Sequence, residues 1–391
     1  MQYSTPHGFR AQSPSISAVG LASIRLLEID DLEPVAELFL HKFRHQRRAS
    51  FQSAVYDAAG YMENLYFRGP DGAKNNRALV HVTERGDISG FLGVLATRYL
   101  LKGASLNAAI IGPLMANAAI DRGRAGPQLL RALNHEAFDL QLTDSANRIS
   151  LAFARPMKYV LLPVQCLEWI YAFRPAAVLA EKLRRKWPTL PRPILSSCAH
   201  ALDLAMMGGA LPPPRHPSQR PEHSAIDAEE FAALVPKFLD AYTARPAWER
   251  TELMWLLKMA AERRDGGPLN LVRVTDSGGS AIGCYAFYGE PGHIAQTLLI
   301  LAARRYWDKV LDSLIAVTRD MNCIGVAGQT QDHFLPQLYT YPGLVFRYAG
   351  GTLVRSTNPM IRQALCERDI LVGGLAGDRW TRLSSDTFGT A

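Results

Sequence analysis

The sequence predicts an α/β chain made of two similar halves, each a mixed sheet flanked by helices. Three observations carry this. The chain has 391 residues, 48% of them apolar and 20% charged, enough for two cores of ordinary size. The stretch "GGALPPPRHPSQRPEH" (208–223) cannot continue a helix or a central strand and reads as a linker. On either side of it the same order of apolar patterns recurs: strand, helix, hairpin, strand, helix, strand. The expected division is a loose Ser/Pro/Gly-rich segment 1–20, a first domain 21–207, the linker 208–223 and a second domain 224–391.

The elements follow in order. "SIRLLEIDDLEPVAELFLHKF" (23–43) reads as a short strand, an Asp cap and a helix with Leu32, Val35, Phe39 and Phe43 on one face. "SAIDAEEFAALVPKFLDAY" (224–242) repeats it, with Asp227 as cap, Glu230 in the capping-box position and Phe231, Leu234 and Phe238 as the stripe. Pro236 sits awkwardly there and predicts a kink. A hairpin comes next in each half, "ALVHVTERGDISGFLGVLA" (78–96) and "NLVRVTDSGGSAIGCYAFYG" (270–289). Thr83 aligns with Thr275, Gly86 with Gly278 and Gly90 with Gly283, with one residue inserted.

Each half then continues to a strand, a helix and a strand. In the first these are 105–120, a helix with Leu129, Leu130, Leu133 and Ala137 inward, and "RISLAFA" (148–154). In the second they are 293–302, a helix with Val310, Leu314, Thr318 and Met321 inward, and "CIGVAG" (323–328). "YAGGTLVRS" (348–356) and "ILVGGLAGDRW" (370–380) read as further strands with Gly turns, Trp380 serving as packing.

Composition narrows the function. The net charge is +7, and the whole excess lies in residues 1–207, which hold 24 Lys and Arg against 17 Asp and Glu. A basic half suits an anionic partner. The basic runs 41–48 and 182–186 lack the interleaved aromatics of single-strand binders. Cys166, Cys198, Cys284, Cys323 and Cys366 are odd in number and widely spaced, which fits a reducing cytoplasm and neither a disulfide scaffold nor a zinc site. No metal is expected. The N-terminus has no signal-peptide pattern, and the apolar run 160–180 carries Pro163, Glu168, Arg174 and Pro175, so it reads as core and not as a membrane span.

The stretch "AAIDRGRAGPQLLRAL" (118–133) carries the strongest chemical signal. A strand that ends in a glycine turn and opens a helix presents free backbone N–H groups and the helix dipole to an anion. Gly123 and Gly126 let a ligand approach the main chain, Arg122 and Arg124 add charge, and Pro127 suits the first helical turn.

The Arg122-Gly123 pair and the order of elements around it resemble the GNAT acetyltransferase superfamily, whose loop pattern is RGxGxG. The chain as a whole looks like a tandem GNAT protein, distantly FemAB-like. Ala125 stands where the central Gly is usual and Pro127 where the last Gly or Ala is usual, so the match is degenerate. The corresponding stretch of the second half, "LAARRYWDKVLDSL" (301–314), has Arg304 and Arg305 but no glycine.

The resemblance implies two GNAT-like domains with mixed, mostly antiparallel sheets. The first would bind acetyl-CoA or another acyl-CoA through Ile120, Arg122, Gly123, Arg124, Ala125 and Gly126. The second would bind substrate or act structurally. The implied reaction is transfer of an acetyl or other acyl group to a small-molecule or glycan amine. Tyr159 and Tyr339, each shortly after the final strand of its half, are the candidates to protonate the thiolate. The sequence singles out no base: Glu63, Glu84 and Glu136 lie in the relevant half without a constellation around them. A FemAB-like transfer from aminoacyl-tRNA, or an inactive GNAT-fold binding module, are the alternatives. Nucleic acid other than that tRNA is not expected, and the oligomeric state is left open.

Overall fold

A computed structural model of the chain describes residues 23–43, 51–70, 72, 76–186, 192–207, 222–385 and 388. The segment 1–20 and most of the Pro-rich linker lie outside the described residues. Among the described residues fifteen strands form two sheets. The first half supplies β1 (Ser23–Leu26), β2 (Leu79–Val82), β3 (Ile88–Leu101), β4 (Ala104–Ala116), β5 (Leu140–Ala146), β6 (Val160–Leu161) and β7 (Leu167–Ala172). The second supplies β8 (Glu222–Ala225), β9 (Ala244–Pro246), β10 (Leu269–Thr275), β11 (Ala281–Tyr288), β12 (Ile294–Ala302), β13 (Gly325–Gln329), β14 (Val345–Tyr348) and β15 (Gly351–Ser356).

The sheet orders are β1-β2-β3-β4-β5-β15-β6, with β9 on the β3 edge, and β8-β10-β11-β12-β13-β7-β14. Only β4/β5 and β12/β13 pair in parallel, so both sheets are mixed and mostly antiparallel, as expected. The two sheets match position by position, with an exchange at the sixth place. There β15 of the second half enters the first sheet, and β7 of the first half enters the second. Hydrogen-bonded strands therefore cross the 208–223 boundary in both directions.

Ten helices matter here: α1 (Leu32–Phe43), α2 (Phe51–Phe67), α3 (Ala118–Asp121), α4 (Ala125–His135), α5 (Arg148–Ala154), α6 (Pro175–Lys186), α7 (Arg192–Met207), α8 (Ala228–Leu239), α9 (Arg250–Ala261) and α10 (Trp307–Asp320). The amphipathic α1, α2, α8 and α9 share one core through Phe39, Met62, Phe231 and Leu257, with Trp380 among them. Helix α4 packs Leu129 and Leu133 on the first sheet, and α10 packs Val310 and Leu314 on the second. No helix among the described residues is long and apolar enough to cross a membrane.

Several sequence expectations change. "RISLAFA" is helix α5, not a strand, because Asn147 Oδ1 accepts the Ile149 and Ser150 N–H groups (2.9 and 3.0 Å) and caps a helix there. The strand is the more polar β5 before it. Ala137 lies beyond the end of α4 and is exposed. Helix α8 continues through Pro236, and Glu230 turns away from the cap to pair with Arg273. Residues 370–380 form isolated bridges and turns, not strands, since Gly373 and Gly374 take positive φ values of 85° and 55°.

The hairpins correspond more closely than the sequence alignment suggests. Thr83 and Asp276, not Thr275, occupy the same place: the side chain of each accepts N–H groups from the turn that follows. Gly86 then matches Gly279 and Gly90 matches Gly283 with no insertion, and both hairpins carry a register shift at the same step. Gly90 and Gly283 are where the sheet meets its helix. A Cβ on Gly90 would lie 2.7 Å from Ala125 Cβ, and one on Gly283 would lie 2.4 Å from Val310 Cγ2 and 2.6 Å from the Leu301 carbonyl oxygen. Gly283→Ala is expected to destabilise the fold by about 1–3 kcal/mol through overpacking, read as a lower urea midpoint with an unchanged slope.

Candidate active site

The first cleft arises from a parting of strands. β4 and β5 pair only from Ala108–Ile110 against Leu140–Leu142. Beyond that, β4 runs on to Ala116 and β5 to Ala146 without pairing. β4 also bulges, with Gly112 and Pro113 together opposing Gly93. The gap is a 260 Å³ cleft walled by Leu114, Leu130, Phe153, Met157, Tyr159 and Leu353, with Thr143 and Ser145 on its polar side.

The second sheet parts in the same manner. β12 and β13 pair from Ile294–Gln296 against Gly325–Ala327, and β12 bulges at Leu298. The adjoining cavity of 330 Å³ is polar and charged, lined by Glu168, Arg263, Gln296, Gln329, Arg347 and Arg379 among others. Ser145 and Ser384 line both cavities, so the two clefts meet at these residues.

A buried carboxylate pair stands at this junction. Asp144 is wholly buried and Asp378 nearly so. Each carboxylate accepts the other residue's main-chain N–H, Asp144 Oδ1 from Asp378 N (2.7 Å) and Asp378 Oδ1 from Asp144 N (2.8 Å). Asp144 Oδ2 also accepts Gly374 N–H (2.8 Å) and lies 3.6 Å from Arg379 Nε. Asp378 Oδ2 accepts the Ser145 hydroxyl, and Oδ1 accepts that of Thr143 (3.2 Å). Burial first, and then the neighbouring Asp144 charge, hold the Asp378 carboxyl well above the ordinary carboxylate range. That placement favours the protonated form of the carboxyl over the ionised one.

The sequence singles out no acid at this place, and the structure brings Asp378 here from a segment that reads as strand. Its signal is present all the same in "GGLAGD" (373–378). A Cβ on Gly377 would lie 2.3 Å from Asp144 Oδ1, and one on Gly112 would lie 2.5 Å from Asp378 Oδ2. Glycine at these positions makes room for the two carboxylates. Of the acids considered from sequence, none lines the first cleft, and Glu63 pairs with Arg68 instead (2.6 Å).

The main-chain donors of the 118–126 loop are not free as expected. The Asp121 carboxylate occupies them, accepting N–H from Gly123 (2.9 Å) and Ala125 (2.5 Å). Arg122 N–H goes to the Ala118 carbonyl and Arg124 N–H to that of Asp121. Ile120 and the side chains of Arg122 and Arg124 are exposed, while Ala125 and Gly126 are buried in the start of α4. A Cβ on either Gly123 or Gly126 would meet nothing within 4 Å, so open space faces both.

The two tyrosines part company. Tyr159 lines the first cleft, where its phenol donates to Gln141 Oε1 (2.6 Å) and burial raises its pKa above the usual tyrosine value. Tyr339 is 72% exposed, its ring tilted at 44° against that of Phe346, and it lines neither cleft. It follows a short helix (Leu335–Leu338). Among the described residues no group of three or more His, Cys, Asp and Glu side chains could hold a metal ion.

No family model matches the chain, and no curated protein matches its sequence. Solved structures do. A protein of Enterococcus faecalis V583 described as a probable N-acyltransferase aligns over 86% of this chain and 72% of its own, with TM-score 0.54 and 12% identity. A GCN5-related N-acetyltransferase of Anabaena variabilis aligns over 86% and 73%, with TM-score 0.55 and 12% identity. The N-myristoyltransferase of Saccharomyces cerevisiae, solved with myristoyl-CoA, aligns over 90% and 87%, with TM-score 0.50 and 11% identity. The chain has the GNAT fold. A FemAB-like kinship is not shown by these structures.

The carboxylate pair makes a testable demand on stability. Because the folded pKa of Asp378 is raised, the native state holds its proton more tightly than the unfolded chain does. The favourable contribution is complete below the ordinary value of 3.8 and is lost as pH climbs from there through the folded pKa. Asp378→Asn cannot ionise. Denaturation measured between pH 4 and neutrality should show the variant gaining on the parent as pH rises, and a constant difference would contradict the assignment.

Proposed function

We propose that this chain is an acyl-CoA-dependent N-acyltransferase that holds the acyl-thioester in the first cleft and receives the amine from the second. The observation that carries this reading is the meeting of an apolar cleft and a polar one at Ser145, beside a buried carboxyl of raised pKa. Carboxylates with a proton acceptor's pKa cluster at reactive sites for this reason. The described solved relatives, labelled N-acyltransferases, support the general class, and one of them binds myristoyl-CoA.

In this reading the diphosphate of the carrier lies at residues 122–126, drawn by Arg122 and Arg124, and displaces the Asp121 carboxylate from the Gly123 and Ala125 N–H groups. The pantetheine and acyl portions follow the gap between β4 and β5, whose walls are apolar. The amine nitrogen attacks the thioester carbonyl, and its C–N bond forms as the C–S bond breaks. The amine proton passes through the Ser145 hydroxyl to Asp378, and the departing thiolate is protonated from Tyr159, which recovers the proton held at Asp378. No net proton is gained or lost.

One observation favours a second reading. Asp121 fills the anion site with a group of the chain itself, as a binding module with no carrier would allow. Acyl-CoA separates the two. On the enzymatic reading acetyl-CoA or decanoyl-CoA raises the melting temperature, and Asp121→Asn, which removes the competing charge, enlarges that rise. Asp378→Asn should lower thiol release by about 10²-fold or more, the scale of a lost general base, while leaving the thermal shift in place. No shift with either ligand and no thiol release in the parent would support the binding module and end the enzymatic reading. A shift accompanied by thiol release would end the binding module.

A further inference from the structure

The second cleft does not repeat the chemistry of the first. Its strands part in the same way, but the helix that opens beside it begins at Arg304 and Arg305 without a glycine. The Arg304 guanidinium there donates to the Ala241 carbonyl (2.9 Å), and Arg305 lies over the Tyr306 ring. This turn lacks the glycines that face open space at the head of α4, and its two guanidinium groups are engaged elsewhere.

Its walls say what the gap suits. Arg263, Arg347 and Arg379 line it against the carboxylates of Glu168 and Asp265, so positive groups exceed negative by one. Arg263 is paired with Asp265. Arg347 contributes its Nε to Glu168, and Arg379 its Nε to the Asp144 carbonyl (2.9 Å). The Nη ends of Arg347 and Arg379 form no hydrogen bond among the described residues. Two guanidinium ends of this kind match a planar anion such as a carboxylate. Glu168 is itself buried and also accepts from Gln296 Nε2 (3.3 Å). On the same floor Gln329 and Gln331 are more than nine-tenths buried, and their Oε1 atoms have no partner among the described residues. Gln329 cannot be turned round to cure this, since its Nε2 already donates to the Gln165 carbonyl (2.9 Å) and to Thr352 Oγ1 (3.0 Å).

We infer that the acceptor held in this second cleft is a small amino-carboxylate, a free amino acid or an amine of that class, with its carboxylate on the Arg347 and Arg379 guanidinium ends and its amine toward Ser145. The inference rests on the acyltransfer reading and names its substrate class. A polycation meets an excess of arginine in this cavity. An alkylamine would leave buried polar groups without partners, which is unfavourable. The size of the cavity, 330 Å³, suits one such molecule beside the carrier.

The test is thiol release from acetyl-CoA and from decanoyl-CoA with a panel of amines: the common amino acids, spermidine, glucosamine, octylamine and phosphoethanolamine. At least one amino acid should support turnover above all the other amines. Arg347→Leu should raise its KM about tenfold or more and leave the KM for acyl-CoA within twofold. Because that variant strips Glu168 of its partner, Arg347→Lys serves beside it. It keeps the charge and loses the fork, and an intermediate rise in KM is expected with an unaltered melting temperature. Turnover with spermidine, glucosamine, octylamine or phosphoethanolamine but no amino acid would overturn the inference and leave the acyltransfer reading standing. So would an amino-acid KM untouched by both substitutions. Absence of any acyl-CoA thermal shift would instead remove the acyltransfer reading, and this inference with it.

Discussion

Two parallel strands that pair for three residues and then separate leave a row of backbone groups with no ladder partner. The rest of this molecule is arranged around that constraint, which occurs once in each sheet. Buried N–H and C=O groups must find partners somewhere. Here one segment, residues 370–385, serves both gaps. Asp378 takes the Asp144 N–H on the β5 side, and Leu375 N–H reaches the Leu298 carbonyl on the β12 bulge (3.1 Å). The same segment holds Gly373 against Gln329 and places Trp380 in the shared helical core. A single stretch of chain thus satisfies the two openings and carries the carboxyl that stands between them.

The strand exchange gives this arrangement its rigidity. β15 bonds to β5 in one sheet and β7 to β13 in the other, so the sheets cannot separate without breaking ladders on both sides. On the acyltransfer reading the two clefts would need a fixed mutual geometry, because reacting groups displaced by even an ångström lose much of their advantage. An exchange of strands supplies that more firmly than a flexible linker between independent domains.

Much of the fold was legible because it is local. The apolar periods of α1, α4, α8 and α10 and the turn residues of both hairpins are written in neighbouring positions. The repeat was visible for the same reason, though Thr275 drew the alignment one residue astray: Asp276 and Thr83 share a role, not an identity. The 148–154 misreading shows the limit of short apolar runs, where one asparagine cap decides between helix and strand. The exchange of β7 and β15 was not legible, since partner choice depends on contacts far apart in sequence. Nor was the buried pairing of Asp378 with Asp144, for which Gly112 on β4 and Gly377 beside Asp378 leave the space. Asp121 lay in plain view within the loop. Its position two residues before Gly123 and four before Ala125 is what lets one carboxylate reach both N–H groups.

The asymmetry between the clefts is the last step. The two sheets open at the same place in their strand order, and what distinguishes the openings is side-chain chemistry. The first keeps Gly123 and Gly126 facing open space at the head of α4, with leucines, Phe153 and Met157 along the gap. The second replaces the glycines by Arg304 and Arg305 and lines its gap with charge pairs and glutamines. An apolar channel and a polar basin have opposite solvation demands, so one ligand would not suit both. A thioester carrier with an apolar arm and a charged, water-soluble acceptor are the two kinds of molecule that would, and they would meet where Ser145 touches both openings. On this view Asp121 is a stand-in: an anion supplied by the chain keeps the Gly123 and Ala125 donors aligned until a stronger one arrives, and preorganised donors bind better than donors that must first be ordered.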